Sequence, residues 1–518
     1  MTKERLDCII AVPTFVDKNK KHTFSNLEML GPEYVIASVL YQGFSGKLLN
    51  AYSNDVSEED IIDAIKEHEP KVLGITCASQ RSYASVVKFI NKVKELAWRG
   101  TIVIGGFYAS LEPEKILQEN ESVAYICLGE GEHTFPALVS AIINNTGLDG
   151  ISGIAYRYNG DVVIRNNTRI RDLDFPFFPY RFPITKNAVS NMIDGKYIPG
   201  KYYNMCAGRG CYGRCSFCSI SESEGTRVRI YRSPKNVVDE MEYLKNNFEA
   251  KHIWFNDEIF YERSKRGRSW MQSFCAELKK RELNMTFNIE LRPNDINRDE
   301  LLLLRSVGLR AVFIGIESGI QRVLNEMRKD TTVEMNVQAL QILKDLDIKI
   351  EMGWISLVPT MTFNELKENY QFLFSTECYT EENIYNRFNL YPGCYYEKIL
   401  NDMNLLNPNS LFYDRFGYDF LDEKVRLFTQ FIDGLRSEFL PIKEKTFLVQ
   451  KKISISGDYK EYLRIRTCQR KVWTELIPKL LRIVEVGEIT DYNELTNTDM
   501  YRWFSDQLIG ILQSIDVS

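Results

Sequence analysis

Over the first 150 residues, short apolar runs bounded by turn residues alternate with amphipathic stretches. The runs at 6–12, 47–52, 72–76, 102–105 and 123–127 predict strands, and apolar positions at helical spacing predict helices over 33–41, 58–68, 83–98, 112–119 and 132–143. Strands that alternate with helices imply a doubly wound, Rossmann-like parallel sheet, whose ligand crevice lies beyond the carboxyl ends of its strands. Residues 1–149 are expected to form this domain. A strict two-residue alternation follows at 154–164 and is broken by Asn159-Gly160, a hairpin signal. Closely spaced prolines at 172–179 then forbid a regular helix or a central strand. Residues 150–199 are therefore expected to form a connection that packs over the next domain. From residue 202 the strand and helix patterns resume for six repeats, with strands at 202–206, 252–256, 285–290, 311–315, 349–357 and 384–390. Six repeats in about 200 residues are too few for a closed eight-fold barrel and predict a partial (β/α)6 barrel over 200–403, with its chemistry at the carboxyl ends of the strands. Residues 404–518 lose the strand pattern and are expected to be helical.

Composition adds limits. A chain of 518 residues with 44% hydrophobic and 26% charged residues calls for more than one core. A formal net charge of -5 argues against a broad nucleic-acid footprint. No 18-residue apolar run and no long apolar leader core is present, so no membrane partner and a cytoplasmic location are expected. The eleven cysteines are no disulfide framework, because three crowd together and most of the rest sit in apolar stretches as small buried hydrophobes.

Those three stand in Cys206-Ala-Gly-Arg-Gly-Cys211-Tyr-Gly-Arg-Cys215-Ser-Phe-Cys218. Cys211, Cys215 and Cys218 follow C-x3-C-x2-C, a spacing that lets three thiolates hold three irons of a cubane and leaves the fourth iron open. Taken alone, the same thiols with Cys206 would also make a structural zinc site. The motif and its flanking elements resemble the radical S-adenosylmethionine (SAM) enzymes. That resemblance implies a [4Fe-4S] cluster whose open iron chelates SAM and whose electron cleaves it to a 5′-deoxyadenosyl radical.

Further matches lie at expected strand ends. Phe217 precedes the last cysteine, Asp257 and Glu258 follow the second strand of the barrel, Glu290 and Arg292 end the third, and Gly315-Ile316-Glu317-Ser318-Gly319 ends the fourth. The resemblance assigns Phe217, Asp257, Glu258, Glu290, Arg292, Glu317 and Ser318 to the SAM site, with an acidic group for the methionyl ammonium and Arg292 for its carboxylate. Val358-Pro359-Thr360 and Tyr391-Pro392-Gly393-Cys394 are weaker matches to later turns.

In the first domain, Gly31-Pro32-Glu33-Tyr34, Gly105-Gly106-Phe107 and Gly129-Glu130-Gly131 resemble the cobalamin-binding domain fused to many radical SAM enzymes. The resemblance implies that Gly105, Gly106, Phe107, Gly129 and Glu130 lie against a corrin, and that Ser79 and Gln80 lie beneath it. Ser79 and Gln80 also fit an ordinary helix start. None of the four histidines, His22, His68, His133 and His252, stands in an Asp-x-His-x-x-Gly motif, so no histidine ligand to cobalt is expected.

Together these features predict a cobalamin-dependent radical SAM methyltransferase that acts on an unactivated carbon of a small-molecule or peptide substrate. A flavodoxin- or ferredoxin-type electron donor is implied by the resemblance alone. Rearrangement or cyclisation without methyl transfer, methylthiolation with a second cluster on Cys8, Cys77 and Cys127, and a zinc-stabilised or corrin-sensing binding protein are the alternatives. The aromatic run at 412–420 is a candidate substrate lid or plain core.

Overall fold

The computed structural model describes residues 5–14, 28–51, 56–166, 169–182, 192–193, 196–197, 201–220, 227–411, 414–446, 449, 460–487 and 489–515. Five strands, β1 (Cys8–Val12), β2 (Gly46–Asn50), β3 (Val72–Thr76), β4 (Thr101–Gly105) and β5 (Val123–Cys127), form the parallel part of the amino-terminal sheet. They lie in the order β2-β1-β3-β4-β5. Both faces are covered, which is why β1 and β3 are buried at every position and β1 is apolar throughout. Helices α1 (Leu30–Tyr41) and α6 (Gly131–Asn144) pack on one face. Helices α2 (Glu58–His68), α3 (Gln80–Lys94), α4 (Phe107–Leu111) and α5 (Pro113–Glu119) pack on the other. This strand order places the topological switch between β1 and β3, and a ligand crevice forms outside such a point.

The hairpin does not pack over the barrel. Its strands β6 (Ile154–Tyr158) and β7 (Asp161–Arg165) add antiparallel to the β5 edge and extend the sheet to seven strands. Arg157 secures that edge by donating to the carbonyls of Leu117, Glu121 and Val123. An edge with unpaired N–H and C=O groups recruits the next alternating segment, a pairing no local pattern announces.

The second sheet runs β10 (Lys201–Met205), β13 (Ala250–Phe255), β14 (Thr286–Leu291), β15 (Leu309–Glu317) and β16 (Lys349–Trp354), all parallel. Two short antiparallel pairs accompany it: β8 (Met192–Ile193) with β9 (Lys196–Tyr197), and β11 (Gly208–Arg209) with β12 (Ile230–Tyr231). The sixth barrel strand is a single parallel bridge, Leu357 to Arg387. A helical turn, Glu381–Tyr385, occupies the start of the expected strand because Thr380 and Asn383 cap it reciprocally.

Beyond the barrel, helices Glu423–Glu438, Lys460–Val486, Tyr492–Thr496 and Asp499–Ser514 share one continuous core with it. Trp473 stacks on Phe439 at 4.8 Å and meets Tyr385 of the barrel at 5.8 Å. Of the aromatic run, Phe416, Tyr418 and Phe420 surround the Arg387 guanidinium at 4.6, 5.2 and 5.1 Å, and Tyr418 and Phe420 are buried. These three are core that closes the barrel's last strand position; Phe412 and Tyr413 lie outside the described residues.

The two α/β units are joined by a buried charge network. Arg181 donates to Glu28 just before α1 and to Glu33 in its first turn, and to Glu240 and the Asn204 carbonyl of the barrel; Arg232 shares Glu240. Three carboxylates face two guanidiniums, and burial with the Glu28 charge pushes Glu33 up to about 8.

Candidate active site

The stretch that enters the cysteine loop is held by carboxylates. After β10, the backbone N–H groups of Ala207 and Gly208 donate to Asp257 at 2.9 and 2.7 Å, and Gly210 N–H donates to Glu258 at 3.0 Å. The Arg229 guanidinium closes on the same Asp257 carboxylate, and both side chains are fully buried. The acidic pair expected to meet the methionyl ammonium is thus committed to the peptide before Cys211. Backbone donors buried in a non-repetitive loop need acceptors, and these carboxylates supply them.

Within the loop, Gly213 N–H donates to Cys211 Sγ at 3.3 Å, Ser216 N–H donates to the Met327 carbonyl, and the Tyr396 N–H donates to the Ser216 carbonyl. Arg292 lies against this loop and not in the open lumen. Its Nη1 stands 3.7 Å from Cys215 Sγ, its guanidinium lies 5.1 Å over the Tyr212 ring, and Nη2 donates to the Lys329 carbonyl. Gly213 makes this approach possible, since a Cβ there would come within 1.9 Å of Arg292 Nη1. Lys329 Nζ donates to Glu317 at 2.7 Å and lies 5.9 Å above Phe217. Burial pushes the Cys211 thiol up and the Cys218 thiol to about 12, while Arg292 opposes the first shift and Lys329 the second. The loop therefore carries two cations suited to anionic sulfur.

The three thiols of C-x3-C-x2-C lie within electrostatic reach of one another. Cys206 does not join them: it sits among Asp257, Arg209, Glu258 and Arg232 and faces the cavity between the domains. Among the described residues, no three His, Cys, Asp or Glu side chains converge as they would around a single metal ion. Three thiols without the fourth fit a cluster with one cysteine per iron better than a closed tetrahedral zinc site.

The remaining expected SAM residues divide. On β14, Asn288 and Glu290 share a face by strand alternation, opposite the core residues Phe287, Ile289 and Leu291. In register beside Glu290 are Phe313 of β15 and Glu351 of β16. Burial and the charges of Asp257, Glu258, Glu351 and Glu317 push Glu290 up to about 8. The Asn288 amide, 2% exposed, has neither polar atom partnered. Ser318 turns away: its fully buried hydroxyl donates to Asn369 Oδ1 at 3.0 Å, which also takes the Gly319 N–H at 2.9 Å. Asn369 and Asn336 thus fasten the Gly315–Gly319 turn from behind. Arg229, Lys329, Asn288 and Asn369 were not singled out from the sequence, because none carries a local signature.

The Glu290 shift has a sign that can be checked. A carboxyl raised from 4.5 to about 8 on folding binds its proton more tightly in the folded state between those values, so stability falls as pH rises from about 4.5 to 8. Glu290→Gln is expected to flatten that part of the melting-temperature profile. The wild-type minus variant difference isolates Glu290 from Glu33, whose shift runs the same way. An unchanged profile would remove Glu290 from the acidic row.

At the carboxyl ends of β3, β4 and β5 a cavity of about 330 Å³ opens between the domains. Such a volume falls in the range of cofactor sites, roughly 300–1,000 Å³. Gly105, Gly106, Phe107, Gly129 and Glu130 line it, with Thr76 and Ser110, and Cys206, Arg209 and Glu258 close it from the barrel side. Gly106 adopts φ +108°, and a Cβ there would come within 2.7 Å of the Cys77 carbonyl oxygen, so only glycine fits. Glu130 is not free: Arg209 donates to it at 3.0 Å and Ile170 N–H at 2.6 Å. Ser79 and Gln80 lie outside this lining. Ser79 caps α3, and the buried Gln80 amide donates to the Leu390 carbonyl of the barrel at 2.9 Å. A glycine-lined wall above a parallel sheet, closed from the barrel side by residues that flank the three-thiol loop, fits a corrin, and the loop itself fits an open-iron cluster.

Such an arrangement defines a two-domain cofactor enzyme in which a doubly wound domain faces a thiolate-bearing barrel. The chain matches the B12 binding domain family over residues 25–139 and the Radical SAM superfamily over 205–373. It is a radical SAM enzyme with an amino-terminal B12-binding domain, and its cofactors are cobalamin, SAM and a [4Fe-4S] cluster. It is 27% identical over 348 residues to an uncharacterized methyltransferase of Pyrococcus horikoshii, covering 66% of this chain and 72% of that one. It is 30% identical over 340 residues to the anaerobic magnesium-protoporphyrin IX monomethyl ester cyclase of Rubrivivax gelatinosus, covering 62% of this chain but only 57% of the cyclase. In fold it is similar to the cobalamin-dependent SAM radical enzyme OxsB with aqua-cobalamin bound, at a TM-score of 0.75, 18% identity, and coverage of 98% of this chain and 81% of that chain. No helix among the described residues is long and apolar enough to cross a membrane.

Proposed function

We propose that the enzyme transfers a methyl group from SAM to an unactivated carbon of a small-molecule or peptide substrate, using an external protein as electron donor. The observation that carries this reading is the cavity shared by the two α/β domains, glycine-lined on the sheet side and bounded by Cys206, Arg209 and Glu258 on the barrel side. When bound, cobalamin supplies a methyl carrier and the cluster supplies the electron that cleaves SAM. The chain's own residues do the rest. Cys211, Cys215 and Cys218 hold the cluster, and Arg292 and Lys329 fix and balance their loop. Glu290 and Asn288 offer hydrogen bonds to SAM or substrate in the lumen. The Arg209 bridge to Glu130 and Glu132 holds the domains together, so that a reactive carbon meets the methyl donor away from water.

The domain limits 1–149, 150–199, 200–403 and 404–518 belong to the same proposal, with the hairpin now read as part of the first sheet. Methyl-labelled SAM tests the reaction: label in the product, with deoxyadenosine and S-adenosylhomocysteine both formed, supports it. Deoxyadenosine with an unlabelled product would replace it by cyclisation or rearrangement, a reading favoured by the cyclase among the relatives. A second cluster is disfavoured because Cys8 and Cys127 pack on one face of the amino-terminal sheet and Cys77 on the other.

Filling the cavity tests the corrin site directly. Gly105 lines it, has an ordinary backbone conformation, and a Cβ there meets only the Cys127 Cβ at 3.6 Å. Gly105→Leu is expected to leave the iron content intact and weaken cobalamin binding by at least about tenfold, read by equilibrium dialysis with hydroxocobalamin. Unchanged affinity would place the corrin elsewhere.

A further inference from the structure

A basic face adjoins the peptide that leads into the cysteine loop. The β11–β12 pair sets Arg209, two residues before Cys211, opposite Ile230. Beside this pair lies a cavity of about 250 Å³ lined by Arg169, Arg171, Val228, Ile230 and Arg266. Arg171, Arg227, Lys265 and Arg266 are exposed, and Val228 is 51% exposed between them. Arg268 nearby is paired with Glu300, but among the described residues none of those four cations has an ion-pair partner. Arg266 only lies over the Tyr231 ring, at 5.4 Å. On a chain of net charge -5, a group of exposed cations that have no ion-pair partner among the described residues, set around an apolar side chain, is a local concentration of positive charge. Its complement is an external anionic surface.

The face is also wired to the cluster loop. Arg169 donates to the Arg209 carbonyl at 3.1 Å. Arg263 N–H donates to Asp295, whose other oxygen accepts the Tyr212 hydroxyl at 2.6 Å, and Tyr212 follows Cys211. The cations are spread over separate segments and are mostly exposed, as a protein interface requires, and do not converge on one buried point as for a small anion.

We propose that this face docks an acidic electron-donor protein carrying a low-potential flavin or iron–sulfur centre. The inference rests on the proposed radical chemistry and names the surface that serves it. At each encounter the reduced donor loses one electron and the cysteine-held cluster gains it; no bond is made or broken in that transfer. The test is the Arg171→Glu, Arg227→Glu, Arg266→Glu triple variant of the full holoenzyme, with a bacterial flavodoxin and its NADPH-dependent reductase as one electron source and dithionite as the other. Deoxyadenosine formation with dithionite is expected to stay near wild type. The flavodoxin-driven rate at low salt and the flavodoxin affinity by calorimetry are expected to fall about tenfold or more, and the three Arg→Lys replacements together are expected to retain both. Unchanged flavodoxin affinity overturns the proposal. So does an equal loss with both reductants, which would mark a structural role, and so does a single-stranded oligonucleotide that binds wild type more tightly than flavodoxin and is released by the triple variant. Failure of the wild type to form deoxyadenosine with dithionite would instead sink the radical chemistry, while the affinity measurement would still judge this surface.

Discussion

Cys215→Ala is expected to give protein with no detectable 5′-deoxyadenosine formation under dithionite, a lost iron–sulfur absorption band and unaltered cobalamin affinity. Cys215 lies within reach of the Arg292 guanidinium at 3.7 Å and of the other two loop thiols, and it does not line the interdomain cavity. Two thiolates cannot anchor three irons, so the cluster goes, whereas the glycine-lined wall is untouched. Cys206→Ala is the companion: it faces the cavity, and its loss is expected to leave iron content unchanged. A four-thiol zinc site would respond equally to both substitutions, and that result would end the cluster reading.

Asp257→Ala is expected to be the most damaging change to stability outside the hydrophobic core. It strands the fully buried Arg229 guanidinium and removes the acceptor for two backbone N–H groups. Breaking one side of a buried pair costs about 3–5 kcal/mol, which for a domain of this size lowers the melting temperature by about 10 °C. Removing both charges, as Asp257→Leu with Arg229→Met, is expected to recover much of that loss, because no ion is then left unpaired. Differential scanning calorimetry reads both. A loss under about 1 kcal/mol for the single change would mean that Asp257 is solvated and free for a ligand, as first expected from its position at a strand end.

What the chain discloses about itself follows the range of the forces involved. The first sheet is legible because a strand buried on two faces reads as an unbroken apolar run, as in Cys8–Val12, whereas the barrel strands, interrupted by residues such as Asn288 and Glu290, are legible from their regular alternation with helices. The cysteine loop is legible because its ligands are local. The uses of Asp257, Arg292 and Ser318 are not. Asp257 is decided by Arg229, Arg292 by Cys215 and the Lys329 carbonyl, and Ser318 by Asn369, all remote in sequence and unremarked by any pattern. Strand-end position identified residues near the chemistry without separating those that touch a ligand from those that hold the first group still. The hairpin shows the same limit, since Asn159-Gly160 announces a turn but only the open edge of β5 decides where its strands go.

The buried tie around Arg181 governs traffic. Prising the two lobes apart would part that guanidinium either from Glu28 and Glu33 on one lobe or from Glu240 on the other, and would leave carboxylates buried without their cation. A clamshell motion is therefore too expensive to accompany every catalytic cycle. Reactants must come and go through a fixed doorway, and the lobes stay locked while they do.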